Sequence, residues 1–197
     1  MEEYQAVALI KSGDLRGLEF LVHRYQGKAV QAAFMIVNDR SSAEEIVQSA
    51  FIRAVEKIHQ FDSKRPFGPW FFRIVINASL MTCQRSNRQI PLEGDDVSEH
   101  LPQWLVDPSQ TLEELTETTE TRRAVWESIN SLSSRQRAVV VMRYYLDMKD
   151  REISQVLRQP LSTTKWTLHR AKGRLHDLLQ SLFSSRANDS TEPTSAH

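Results

Sequence analysis

The chain of 197 residues carries a single cysteine, Cys83, which excludes an internal disulfide framework and a Cys-rich zinc site. Glycine and proline are few, with 6 and 7 copies, there is no Asn-Gly pair to close a hairpin, and period-2 alternation is scarce. Those absences together point to an all-α fold. No apolar run is long enough to span a bilayer, and no charged-then-apolar leader follows Met1, so the expected location is cytoplasmic, without membrane insertion. A Gly-rich phosphate loop is also missing, so any nucleotide chemistry must be supplied by a partner, and no cofactor or resident metal is expected.

One further absence organises the chain. Between Arg88 and Arg122 there is no lysine or arginine, but there are nine acids, from Glu93 to Glu120. Residues 1–88 carry 12 Lys/Arg against 9 Asp/Glu, and residues 122–183 carry 12 against 5. The zero net charge therefore hides two basic lobes flanking an acidic connector, a pattern that suits a nucleic-acid binder whose linker must avoid the same polyanion. The expected division is a first domain over 1–88, a flexible acidic linker over 89–115 broken by prolines, a second domain over 116–183, and a polar, disordered tail over 184–197.

In the first lobe, Tyr4, Val7, Ala8 and Ile10 predict a helix ending near Gly13. Asp14 suits a cap for a second helix, whose apolar side is Leu15, Leu18, Leu21, Val22 and Tyr25. A separate apolar segment runs from Val30 to Val37. Ser41 or Ser42 then offers a capping box to a helix reading AEEIVQSAFIRAVEKIHQF. Its predicted buried face is Ile46, Ala50, Phe51, Ala54, Val55 and Ile58, which leaves Glu44, Glu45, Gln48, Arg53 and Glu56 outward.

The next stretch, FDSKRPFGPWFFRIVINASLMTCQRSNR, opens with a loop punctuated by Pro66, Gly68 and Pro69 and continues as a helix from about Trp70 to about Arg88. Trp70, Asn77, Gln84 and Arg88 fall along one side, with Arg73 and Arg85 beside them; Phe72, Val75, Ile76 and Cys83 fall on the other. Arginines hold phosphates, amides read base edges and an indole stacks on bases, so this stripe suits an accessible nucleic-acid strand. A plain solvated face is the alternative.

These two runs resemble region 2 of an extracytoplasmic-function sigma factor, a small bacterial initiation subunit of RNA polymerase. The resemblance implies that Ala43–Phe61 docks on the clamp helices of the largest polymerase subunit through Glu45 and Gln48, with Ser49 standing where the family often has an acid. It implies that the loop Phe61–Pro69, with Lys64, Arg65 and Phe67, receives a base flipped from the −10 element. Asn77 stands beside that pocket, and Arg85 and Arg88 match the end that holds the DNA backbone. Unstacking a base costs a few kcal/mol, which a pocket and a stacking surface can return. The implied act is strand trapping, not catalysis.

In the second lobe, Leu112, Leu115, Val125, Trp126 and Ile129 have helical spacing, and Ser133-x-x-Gln136 forms a capping box ahead of Ala138, Val139, Val141, Met142 and Tyr145. Ile153, Val156 and Leu157 mark a short helix and Gln159-Pro160-Leu161 a turn. Ser162 or Thr163 is the expected cap of a longer helix with Trp166, Leu168, Ala171, Leu175 and Leu178 inward. Thr163, Thr164, Lys165, Thr167, His169 and Arg170 would then face outward, as in a helix-turn-helix that enters a major groove. The stretch EISQVLRQPLSTTKWTLHRAKGRL resembles sigma region 4, which reads the −35 element. The residues expected to contact DNA are Ser162, Thr163, Lys165, Thr167, His169, Arg170 and Lys172. This sequence departs from the family where Ser162 replaces its usual glycine, Thr164 an aliphatic residue and Thr167 an arginine.

The resemblance implies a sigma factor that directs transcription initiation, for a stress or envelope-type regulon under an anti-sigma partner. Its other partners would be promoter DNA and core RNA polymerase, through the clamp helices and, for the second lobe, the flap region. The linker either imitates an RNA backbone near the exit channel or only keeps the lobes apart. Alternatives are a stand-alone helix-turn-helix regulator and a polymerase-binding adaptor. Ser162-x-x-Lys165 has the spacing of a Ser-Lys nucleophile but lacks companion motifs, and His169 with His176 lacks a third ligand.

Overall fold

A computed structural model describes residues 1–86, 121 and 123–189. Arg88, the linker, the helical positions Leu112 and Leu115, and residues 190–197 lie outside the described residues. All regular structure among the described residues is helical, in two clusters. The first comprises α1 (Glu3–Lys11), α2 (Arg16–Val37), α3 (Arg40–Glu56), a 3₁₀ turn (Ile58–Gln60) and α4 (Phe67–Ser86). The second comprises α5 (123–130), α6 (Ser134–Val140) with a π turn (Val141–Tyr145), α7 (Asp150–Val156) and α8 (Leu161–Asp189).

The turn from α1 to α2 is made at Gly13, whose φ of 86° lies where a side chain is strained. Helix α2 then crosses α1 so closely that a Cβ on Gly17 would sit 2.2 Å from the Ala6 carbonyl oxygen. The expected separate segments from Leu15 and Val30 are one helix. Leu21, Ala29, Ala32, Ala33 and Ile36 continue one apolar face without a break, and exposed Gly27, about 1 kcal/mol worse than alanine, does not interrupt it. Asn38, left-handed at φ 59°, ends α2. Asp39, not Ser41 or Ser42, caps α3: its carboxylate accepts the Ser42 N–H at 2.6 Å, which holds its pKa below the usual carboxylate value.

Helix α4 starts at Phe67 rather than Trp70, because proline is tolerated in the first turn of a helix and Pro69 sits there. Its cap comes from far away, since the Phe67 N–H donates to Glu3 Oε1 at 2.7 Å. Around it, Phe51, Phe67, Phe71, Val75 and Ile76 form the centre of the first cluster. The predicted faces of α3 and α4 hold: Ile46, Ala50, Phe51, Ala54 and Ile58 are buried and Val55 partly so, and Phe72 and Cys83 are buried.

In the second cluster the Ser133–Gln136 capping box forms as expected. The π turn brings Tyr145 over α2. Helix α8 begins at Leu161, directly after Pro160, so neither Ser162 nor Thr163 occupies the cap position. It also runs past the boundary expected at Phe183 to Asp189, no glycine or proline standing between Gly173 and Pro193.

The clusters pack together. Phe34 of α2 stacks on Trp126 of α5, centroids 5.0 Å apart and planes within 2°. The Arg137 guanidinium donates to the Ile36 carbonyl at 3.0 and 2.8 Å and to the Asn130 and Leu132 carbonyls at 3.0 and 3.2 Å. Tyr145 donates its hydroxyl to Gln31, and Lys28 lies 5.7 Å from the Tyr145 ring centre.

Candidate nucleic-acid interface

Helix α4 and the loop before it form the first candidate face. The loop is held by α1: Lys11 Nζ donates to the Phe61 carbonyl at 2.8 Å and to Ser63 Oγ at 2.9 Å. Glu3, which caps α4 with one carboxylate oxygen, accepts the Tyr25 hydroxyl with the other. Burial and that carboxylate push the Tyr25 pKa up to about 12, so the phenol stays a donor. Neither Glu3 nor Lys11 was expected to shape the loop. Both act across more than 45 residues of sequence, and no local pattern announces such a contact.

Within the loop, Lys64 and Arg65 are exposed as expected, Arg65 leaning on Asp62 at 3.5 Å. Phe67 is a correction. It is 2% exposed, with its ring among Tyr25, Phe61, Trp70 and Phe71 at centroid distances of 5.5–5.8 Å. Becoming the first residue of α4 turned it into the core, so it supports the loop from below and offers no surface to a base. Trp70 is half-buried, its ring 4.9 Å from Phe61. Along α4 the stripe survives: Arg73, Gln84 and Arg85 are exposed and Asn77 is partly exposed. At the middle of that stripe lies Met81, 50% exposed, which sequence reasoning passed over.

On α3, Glu44, Glu45, Gln48, Arg53 and Glu56 are exposed and Ser49 is partly so. Ile52, 57% exposed, falls between Gln48 and Glu56 on that same face and was also missed.

The second candidate face is the start of α8. Ser162, Thr163, Lys165, His169, Arg170 and Lys172 are exposed. Thr164 and Thr167, expected outward, are buried, and Trp166, expected inward, is 58% exposed. The physical reason is that a threonine can hide its hydroxyl on its own helix. Thr167 donates to the Thr163 carbonyl at 2.8 Å, and Thr164 to the Pro160 carbonyl at 3.4 Å while accepting from Gln159 Nε2 at 2.9 Å. Both then pack as branched apolar residues beside Leu168, Ala171 and Leu175, which lie inward or partly inward as expected; of the residues expected inward, Trp166 alone is exposed. Thr167 in this position offers DNA no hydroxyl.

Elsewhere, among the described residues, no three of His, Cys, Asp and Glu converge as metal ligands, and no helix is long and apolar enough to cross a membrane. Cys83 is buried, and burial raises its thiol pKa.

Comparison with known proteins covers both faces. Residues 21–89 match Sigma-70 region 2 and residues 122–175 match Sigma-70 region 4. The chain is 27% identical over 88% of its length to the ECF RNA polymerase sigma factor SigW of Bacillus subtilis, covering 94% of that protein. It is 24% identical to the RNA polymerase sigma-H factor of Pseudomonas aeruginosa, over 92% of this chain and 96% of the other. In fold it is similar to CnrH, solved in complex with the cytosolic domain of CnrY (TM-score 0.60, 23% identity, 91% of this chain and 97% of that one). It is similar too to RpoE of Bartonella quintana, solved with the anti-sigma factor NepR (TM-score 0.62, 18% identity, 83% and 96%). Two region matches in order, the second ending on the basic helix α8, settle the assignment: the chain belongs to the extracytoplasmic-function, group 4, sigma factors of the sigma-70 family, which act in transcription initiation and are not enzymes.

Proposed function

We propose that this sigma factor divides promoter binding between its two lobes. The loop before α4, with Lys64, Arg65, Trp70, Arg73, Asn77, Gln84 and Arg85, takes the opened −10 strand. The first turns of α8, with Ser162, Thr163, Lys165, His169, Arg170 and Lys172, hold duplex at −35. The exposed face of α3 (Glu45, Gln48, Ser49) docks on the clamp helices of core RNA polymerase, and the second lobe meets the flap region. One observation supports this reading above the rest: two separate faces suited to DNA, one with stacking and amide groups and one basic, stand on different lobes of one chain. A stand-alone regulator would need only the second, and an adaptor neither. CnrH was solved with the cytosolic domain of CnrY and the sigma factor RpoE with the anti-sigma factor NepR, and an anti-sigma partner is proposed here as well.

The test uses holoenzyme reconstituted with core polymerase. Asn77→Ala should cut open-complex formation, read as permanganate reactivity of unpaired thymines, about tenfold, the size of one lost base contact. Binding to the closed duplex should stay within twofold. Equal loss in both measurements would remove Asn77 from strand capture.

A further inference from the structure

Among its described side chains, helix α8 carries the most solvent-exposed large apolar one where a DNA reader meets the groove. At about 100° per residue, the buried Thr164, Thr167 and Ala171 and the partly buried Leu175 lie on one side of the helix, and Trp166 stands opposite them, flanked by Ser162, His169 and Gly173. The residue is 58% exposed, and the Arg170 guanidinium lies 4.8 Å from its ring centre, one turn further along. From Leu161 to His176 there are four Lys/Arg and no acid. The partner of this ridge is therefore a polyanion, and an indole at its crest meets whatever apolar group that polyanion offers. In the major groove of duplex DNA that group is the 5-methyl of thymine.

We propose that Trp166 is the base-reading tip of α8: its indole takes a thymine methyl in the −35 element, and Arg170, braced on the ring, holds the adjoining phosphate. This rests on the reading of α8 as the −35 helix. It also explains how the helix keeps a base contact after Thr167 has turned into the core. With Thr164, Thr167 and Ala171 toward the core, Trp166 is left at the crest. Because Trp166 is more than half exposed, removing it should leave the fold intact.

The probe is a duplex selected by wild-type holoenzyme from a randomised pool and shown to yield a run-off transcript. It is used in two forms, with thymine or with uracil throughout the −35 segment. Uracil lacks only the methyl group, and each methyl contacted is worth about fourfold in affinity. Wild-type holoenzyme should lose about fourfold per methyl contacted on the uracil duplex. Trp166→Ala should bind the thymine duplex about tenfold more weakly and be indifferent to uracil, with Trp166→Phe in between. A uracil penalty absent from the wild type, or equal in wild type and Trp166→Ala, overturns the assignment of Trp166 alone. Weaker binding of Trp166→Ala to core polymerase without DNA would place the indole on protein and overturns it too. Failure of the wild type to give any specific transcript overturns the −35 reading itself.

Discussion

Glu3 joins three parts of the first lobe with one carboxylate. It caps α4 through the Phe67 N–H, receives the Tyr25 hydroxyl, and lies 3.8 Å from the Arg24 guanidinium. Helix α4 has no acid in its own first turn, so this borrowed charge also complements the positive end of the helix dipole. Glu3→Ala leaves a backbone donor and a phenol without their acceptor and should lower stability by about 1–3 kcal/mol in urea unfolding. Glu3→Gln keeps an acceptor and should cost less. Arg158 is a second residue whose role is set by backbone geometry. It is left-handed at φ 49° and ends α7, with its own N–H on the Gln155 carbonyl at 3.3 Å and the Gln159 N–H on the Ser154 carbonyl at 3.1 Å. Glycine adopts that conformation without the Cβ clash, so Arg158→Gly should raise stability by roughly 0.5–1 kcal/mol, measured by thermal unfolding. Neither residue was legible in the sequence: Glu3 acts over a distance of 64 residues, and an arginine gives no signal of a left-handed turn.

At the scale of the element, periodicity showed where helices lie but not how each is rotated or capped. The inward faces of α3 and α4 were legible because aliphatic and aromatic residues repeat there at helical spacing. On α8 the same logic held for Leu168, Ala171 and Leu175 but not for Trp166, since two threonines satisfied their own hydroxyls and packed inward instead. A related bias hid Ile52 and Met81. An apolar residue is read as core by default, yet Ile52, Met81 and Trp166 each stand at the middle of a polar face. An exposed apolar group ringed by polar ones is a usual anatomy for a binding surface. For α3 this gives a direct expectation. Glu45→Lys with Gln48→Ala changes only exposed side chains, so the helical signal and unfolding midpoint should be unchanged while core polymerase binding falls at least tenfold. Retained binding in a pull-down with purified core enzyme would place the docking face elsewhere.

Charge segregation made two lobes legible, but no local pattern shows how they meet. Their contact completes a helix end: the last carbonyls of α2 have no partner within the helix, and the Ile36 carbonyl receives two N–H groups of Arg137 and the Cys83 thiol at 3.5 Å. A cation at that end also opposes the negative pole of the dipole. The second anchor is the stack of Phe34 on Trp126, and between the lobes lies a cleft of about 370 Å³ lined in part by Val37, Thr82, Leu132 and Ser133. Arg137 is a charged anchor between the lobes, beside the Tyr145 hydroxyl on Gln31, and it also ties the Asn130 and Leu132 carbonyls of its own side. Arg137→Ala should therefore loosen the pair without unfolding either lobe, by about 1–3 kcal/mol for a charged donor lost from buried carbonyls. Small-angle scattering of the free chain should then report a larger radius of gyration, and Arg137→Lys, which keeps the charge but not the fork of donors, should lie between. An unchanged radius in Arg137→Ala would mean that the Phe34–Trp126 stack and the Tyr145–Gln31 contact suffice to hold the lobes together, and Trp126→Ala would then be the variant that separates them.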